Sequence, residues 1–133
     1  LCSFLFINMS YNYFNVSEFG CNCNNCENKN TGFNMNKSFI ELLDQARDIA
    51  GIPFKITSGF RCEEWNLNTG GRIGSSHCKG LAVDIKFNGS RDCFLIVNAL
   101  LKVGINRIGI SKERSFIHCD VDIIKDANVL WLY

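Results

Sequence analysis

Two short stretches hold the residue types from which a metal centre can be built. Ser75-Ser-His77-Cys-Lys-Gly-Leu-Ala-Val-Asp84 offers an imidazole and a carboxylate seven positions apart, and Ser115-Phe-Ile-His118-Cys-Asp120 carries the only other histidine. Two histidines and one carboxylate are the donor set of a catalytic zinc site, with three protein ligands and a fourth position for water. His77 falls just before a predicted strand and Asp84 within it, so the intervening turn can bring both side chains to one centre. His118 has to arrive from a neighbouring strand. Spacing alone leaves a metal site and a pair of structural histidines both open.

The elements that must position these residues are legible from periodicity. Phe39, Leu42, Leu43, Ala46, Ile49 and Ala50 recur at helical spacing and predict a helix over Lys37–Ala50, ended by Gly51 and Pro53. Short apolar runs predict strands at 54–57, 81–87, 106–110 and 115–121, the last two joined by the charged turn 111–114. A helical turn is expected at 63–68. Ser90 reads as the N-cap of a helix at 91–102 with Gly104 just past its end, and the tail 129–133 as an edge strand. The expected fold class is α+β, a small, mainly antiparallel sheet with helices packed on one face.

Hydrophobic residues make up 47% of the 133-residue chain and charged residues 20%, which fits one globular domain with its own core. We read residues 1–14 as an N-terminal extension and 15–133 as the domain, with a cysteine-rich loop at 20–36. The opening Leu1-Cys-Ser-Phe-Leu-Phe-Ile7 is apolar but too short to span a bilayer. It lacks the basic start and small-residue cleavage site of a signal peptide, so residues 1–8 read as upstream sequence. A formal charge of +1 gives no reason to expect nucleic acid or an anionic membrane as partner. A monomer is expected.

Eight cysteines is a high count, yet their spacing is not that of a small disulfide scaffold. Cys93 and Cys119 fall in helix and strand patterns and read as buried thiols. With Cys62 as fourth ligand, the cluster Cys21-x-Cys23-x-x-Cys26 is able to bind a structural zinc. The absence of a second C-x-x-C pair favours the plainer alternative of a disulfide or thiols at a turn.

The run Ile56-Thr-Ser-Gly-Phe-Arg61-Cys, then Asn66, Gly70-Gly71, Ser75-x-His77-x-x-Gly80-x-Ala82-x-Asp84 and Phe116-Ile-His118-Cys-Asp120-Val, resembles the zinc D-alanyl-D-alanine carboxypeptidases. That group shares its fold and zinc site with the amino-terminal signalling domain of hedgehog proteins and includes many murein-cleaving bacteriophage lysins. The resemblance spans residues 15–124 and implies one zinc ion on His77, Asp84 and His118. It implies that Arg61 contacts the peptide and stabilises charge on its carbonyl, and that Ser75 bonds substrate or orients its loop. It further implies hydrolysis of peptidoglycan stem peptides at the bacterial cell wall, by carboxypeptidase or endopeptidase action. Relatives commonly place a glutamate three residues before the last zinc histidine, or a histidine two before it. Here those positions are Ser115 and Phe116. Asp120 shares a strand face with His118 and is the first candidate for the general base, or else a carboxylate that orients His118. Glu113 is the second candidate. Loss of the usual base also supports a different class of function, a zinc-containing binding module that cuts nothing.

Overall fold

The structure, a computed structural model, describes residues 10–133 other than 25 and 30. The reading of residues 1–8 as upstream sequence lies outside this range. A 3-10 turn at Val16–Phe19 opens the fold, capped reciprocally by Asn15 and Glu18. Three helices follow in chain order, α1 (Lys37–Ala50), α2 (Glu63–Asn68) and α3 (Gly89–Lys102). The strands are β1 (Lys55–Ser58), β2 (Ala82–Lys86), β3 (Arg107–Ser111), β4 (Phe116–Asp120) and β5 (Val129–Leu132). They form one sheet in the order β1-β2-β4-β3-β5.

Asn36 caps α1 by accepting the Phe39 N–H, and the helix turns Phe39, Ile40, Leu43 and Ala46 inward. Those side chains share one core with Ile96, Ala99 and Leu100 of α3 and with Val83, Ile85, Ile108, Ile117 and Cys119 of the sheet. Fully burying an aliphatic or aromatic side chain of this size is worth about 1.5–3 kcal/mol. Because strand side chains alternate, that core commits the other residues of β2, β3 and β4 to the opposite face. Asp84, His118, Asp120, Arg107 and Gly109 are therefore displayed together on the side away from α1 and α3.

One expectation is corrected, and that of a mainly antiparallel sheet is refined. α3 begins at Gly89 with Asn88 at the cap position and no side-chain cap, so Ser90 lies inside the helix and does not cap it. Asp92 instead reaches back to accept the Asn88 N–H at 3.3 Å. The sheet is mixed, since β5 runs parallel to β3 while the other pairings are antiparallel. The cause is local: the chain leaves β4 opposite Arg107 and re-enters at Val129, also opposite Arg107. Having crossed the end of β3 without traversing the sheet, β5 must run with it.

The start of the described chain is docked. Asp44 of α1 accepts the backbone N–H groups of Asn12 and Tyr13 at 3.0 and 2.9 Å, and Phe14 is buried against Phe19. Residues 12–14 thus pack with the domain that the sequence reading starts at 15.

Candidate metal centre

One row of residues crosses the sheet: Ser58 opposite Asp84, Asp84 opposite His118, His118 opposite Gly109, and Gly109 beside Trp131. The register of β1 shifts between Ile56 and Ser58, leaving Thr57 as an extra residue. Without that bulge Ser58 would pair with Val83 and face the core; with it, Ser58 joins the row. Gly109 is small for a reason, because a Cβ there would lie 2.4 Å from the Trp131 indole. Trp131 in turn stands beside His118, with ring centroids 5.5 Å apart.

His77 comes from the 3-10 turn Ser76–Lys79, which Ser75 caps by accepting the His77 N–H at 3.3 Å. Its Nδ1 lies 2.8 Å from the Gly59 carbonyl, an acceptor only, so the proton sits on Nδ1 and Nε2 carries a lone pair. Gly59 can serve because its bare backbone lies on Phe19; a Cβ would fall 2.5 Å from the Phe19 carbonyl oxygen. His118 has the opposite tautomer. Its Nε2–H donates to Asp120 Oδ2 at 2.8 Å, which leaves the Nδ1 lone pair facing Asp84.

His77 Nε2, His118 Nδ1 and Asp84 Oδ1 form a triangle with sides of 3.3, 3.3 and 3.1 Å. A tetrahedral ion with bonds of about 2.0–2.1 Å spaces its ligand atoms about 3.3 Å apart, so the triangle fits one face of a zinc tetrahedron. Two imidazole nitrogens and a carboxylate oxygen buried around one point also make a favourable environment for a cation. Burial disfavours the imidazolium of His118, but its hydrogen bonds to Asp120 and Asp84 outweigh burial and raise it above an ordinary histidine. Burial likewise raises Asp84, yet the two histidines overcome it and hold its carboxyl well below the usual carboxylate range.

The surrounding residues hold this arrangement. Arg61 donates from Nη2 to Asp84 Oδ2 at 2.9 Å and from Nε to Ser58 Oγ at 2.8 Å, so the second carboxylate oxygen is fixed away from the triangle. Asp120 stands on the far edge of the His118 ring. Its Oδ1 accepts from Arg107 Nε at 2.7 Å and from the Asp122 N–H at 3.2 Å. Arg107 also donates to the Asp126 carbonyl.

The triangle opens into a cleft of ≈ 830 Å³ whose lining includes Arg61, Arg72, Ser75, Arg114, Trp131 and Tyr133. His77, Asp84, His118, Arg61, Ser75 and Asp120, all expected from the sequence, are thus brought together. Glu113 is not: it is exposed in the turn between β3 and β4 and lines no part of the cleft. Arg107, Gly109, Trp131 and the Gly59 carbonyl escaped the sequence reading. Alternation along β3 pointed to Arg107 and Gly109, since Ile108 and Ile110 claim the core face. Nothing local signalled Trp131.

Asn66, fully buried, donates from Nδ2 to the Arg72 carbonyl at 3.0 Å and accepts the Gly71 N–H on its own carbonyl at 2.8 Å. It thereby fixes the loop that carries Arg72 and Ser75 into the cleft. Among the described residues no helix is long and apolar enough to cross a membrane.

No curated protein sequence matches the chain. The family model described as Peptidase M15 matches residues 12–120, which takes in the docked start, the whole triangle, Arg61 and Asp120. The match covers most of the chain, and two histidines with one carboxylate form a donor set that a catalytic zinc can use; the chain belongs to the Peptidase M15 family of metallopeptidases.

Proposed function

We propose that the chain hydrolyses peptidoglycan stem peptides at the bacterial cell wall, as a D-alanyl-D-alanine carboxypeptidase or a murein endopeptidase of the phage-lysin kind. The observation that carries this reading is the zinc-sized triangle of His77, Asp84 and His118 opening into a peptide-sized cleft. A site on the face of a five-stranded sheet away from its two long helices also suits the hedgehog/DD-peptidase fold. Zinc held by the three ligands supplies Lewis acidity, polarising a carbonyl and acidifying water. Arg61 adds a fixed cation whose position is set by Asp84 and Ser58, so charge developing on the scissile carbonyl is met without reorganisation. Asp120 is a positioning residue, holding the His118 Nε2–H so that Nδ1 faces the ion.

The cleft also suggests how substrate is oriented. Arg72 and Arg114 line it and belong to no ion pair among the described residues, unlike Arg61, Arg107 and Lys125. Two such guanidinium groups suit a peptide carrying a free carboxylate.

The second reading, a zinc-containing binding module, draws on a specific observation. Asp84 and Asp120 are the only carboxylates lining the cleft among the described residues, and both are engaged. The deciding experiment incubates zinc-loaded protein with purified muropeptides and follows release of D-Ala and of new amino groups. Zinc-dependent cleavage, slower on stem peptides whose terminal carboxylate is amidated, is the expected result. Full zinc occupancy with no bond cut in walls of several chemotypes would establish the binding module.

A further inference from the structure

Outside the cleft, a second set of ligand atoms converges. The Sγ atoms of Cys21, Cys23, Cys26 and Cys62 all lie within 4.8 Å of one another, and all four residues are thiols. A zinc ion with Zn–S bonds of about 2.3 Å spaces its sulfurs about 3.8 Å apart, so a small contraction closes this group into a tetrahedron. Cys21 and Cys23 are buried, and Cys26 and Cys62 partly so. Backbone dipoles are already aimed at the sulfurs. The Cys62 N–H points to Cys21 Sγ at 3.3 Å, the Cys26 N–H to Cys23 Sγ at 3.3 Å and the Trp65 N–H to Cys62 Sγ at 3.4 Å. Such donors offset the charge that thiolates carry on a cation.

We propose that these four cysteines bind a second, structural zinc ion that clamps the loop after Phe19 onto the segment leading into α2. Four sulfur ligands with no open position are the donor set of a closed structural site, where the His77 triangle leaves one position open. The clamp reinforces existing contacts between the same two segments. Phe60 N–H donates to the Phe19 carbonyl at 2.9 Å, and Asn22 Nδ2 to the Thr57 carbonyl at 3.0 Å. What it holds in place is pertinent to the cleft, because the clamped segment presents the Gly59 carbonyl to His77 and Arg61 to Asp84. The second C-x-x-C pair that the sequence lacks is replaced by Cys62, delivered at the start of α2.

The inference does not depend on what the cleft cuts, and cobalt substitution tests the two sites separately. Protein purified from zinc-supplemented medium is expected to hold two equivalents of zinc, one for each ligand group. Its cobalt form should show an intense thiolate-to-cobalt charge-transfer band in the near ultraviolet. Cys26→Ser should lose that band and one equivalent, whereas His118→Ala should keep the band and lose the other equivalent. A cobalt form without the thiolate band, zinc content that Cys26→Ser leaves unchanged, or disulfides among these cysteines in mass-spectrometric mapping would each overturn the proposal. The native-protein measurements decide the matter even if Cys26→Ser does not fold.

Discussion

Truncation of Asp120 separates positioning from proton transfer. Asp120 accepts the His118 Nε2–H at 2.8 Å while the metal-facing Nδ1 lies on the other edge of the ring. A hydrogen bond to a charged group contributes about 1.5–3 kcal/mol, so Asp120→Ala should weaken zinc binding roughly 10- to 150-fold. Losing the carboxylate frees the ring to rotate, to place its proton on Nδ1 and to become a poorer donor. The same change strips Arg107 of its partner at 2.7 Å and should lower folding stability as well, so urea unfolding of the metal-free proteins supplies the control. Zinc affinity is measured by competition with a chromophoric chelator at neutral pH, and turnover by D-Ala release at saturating zinc. Positioning predicts a large loss of affinity and a turnover that recovers substantially once zinc is in excess. Unchanged affinity with turnover abolished at saturation would refute it and make Asp120 the proton acceptor.

Arg61→Lys keeps the charge but not the fork that reaches Asp84 and Ser58 together, and should cut kcat/KM about 100-fold or more in the same release assay. Gly109→Ala drives a methyl to 2.4 Å from the Trp131 indole; overpacking of this kind costs about 1–3 kcal/mol, readable by urea unfolding and by the tryptophan emission. Asp122 is buried, which raises its carboxyl, but hydrogen bonds from Lys79 and Ser76 prevail and hold it below the ordinary range. The contribution is therefore complete above the unfolded pKa of about 3.9 and fades as pH falls through the folded value. Asp122→Asn should be less stable than the native chain at neutral pH, with the gap shrinking below about pH 4 in pH-dependent denaturation. Zinc at one hundred times the dissociation constant of the His77–Asp84–His118 site should stabilise the fold by about 2.7 kcal/mol through that site alone, seen as a chelator-reversible rise in Tm.

The helices, the strands and the candidate ligands were readable in the sequence wherever one physical signal acted alone. Periodicity placed α1 correctly, because Phe39, Leu43 and Ala46 of the expected pattern face the core and Gly51 ends the helix, although Ile40 outside that pattern is buried and Ile49 within it is exposed. It misplaced the start of α3, because Asn88 and Asp92 satisfy that end from outside the expected cap. His77, Asp84 and His118 were visible as residue types and motif spacing, yet their tautomers depend on the Gly59 carbonyl and on Asp120, partners set by packing. The roles weighed for Asp120 could not be separated without knowing which ring nitrogen it meets. Trp131 was out of reach, since its place beside His118 follows from β5 joining β3 in parallel, a choice made by the path of the chain.

The cross-strand row has a consequence for how the chain reaches its native state. Asp84 and His118 are 34 residues apart in sequence and meet only when β2 and β4 pair in one register. A slip of one residue would turn His118 into the core and set Ile117 or Cys119 opposite Asp84. An ion held by His77, Asp84 and His118 would therefore bind at this site only in chains whose central strands are correctly aligned, and its binding energy would count against every misaligned competitor. A zinc ion there would act as a proofreader of strand alignment during folding. Zinc starvation during synthesis should accordingly appear first as a loss of soluble protein, ahead of any pool of folded, inactive molecules.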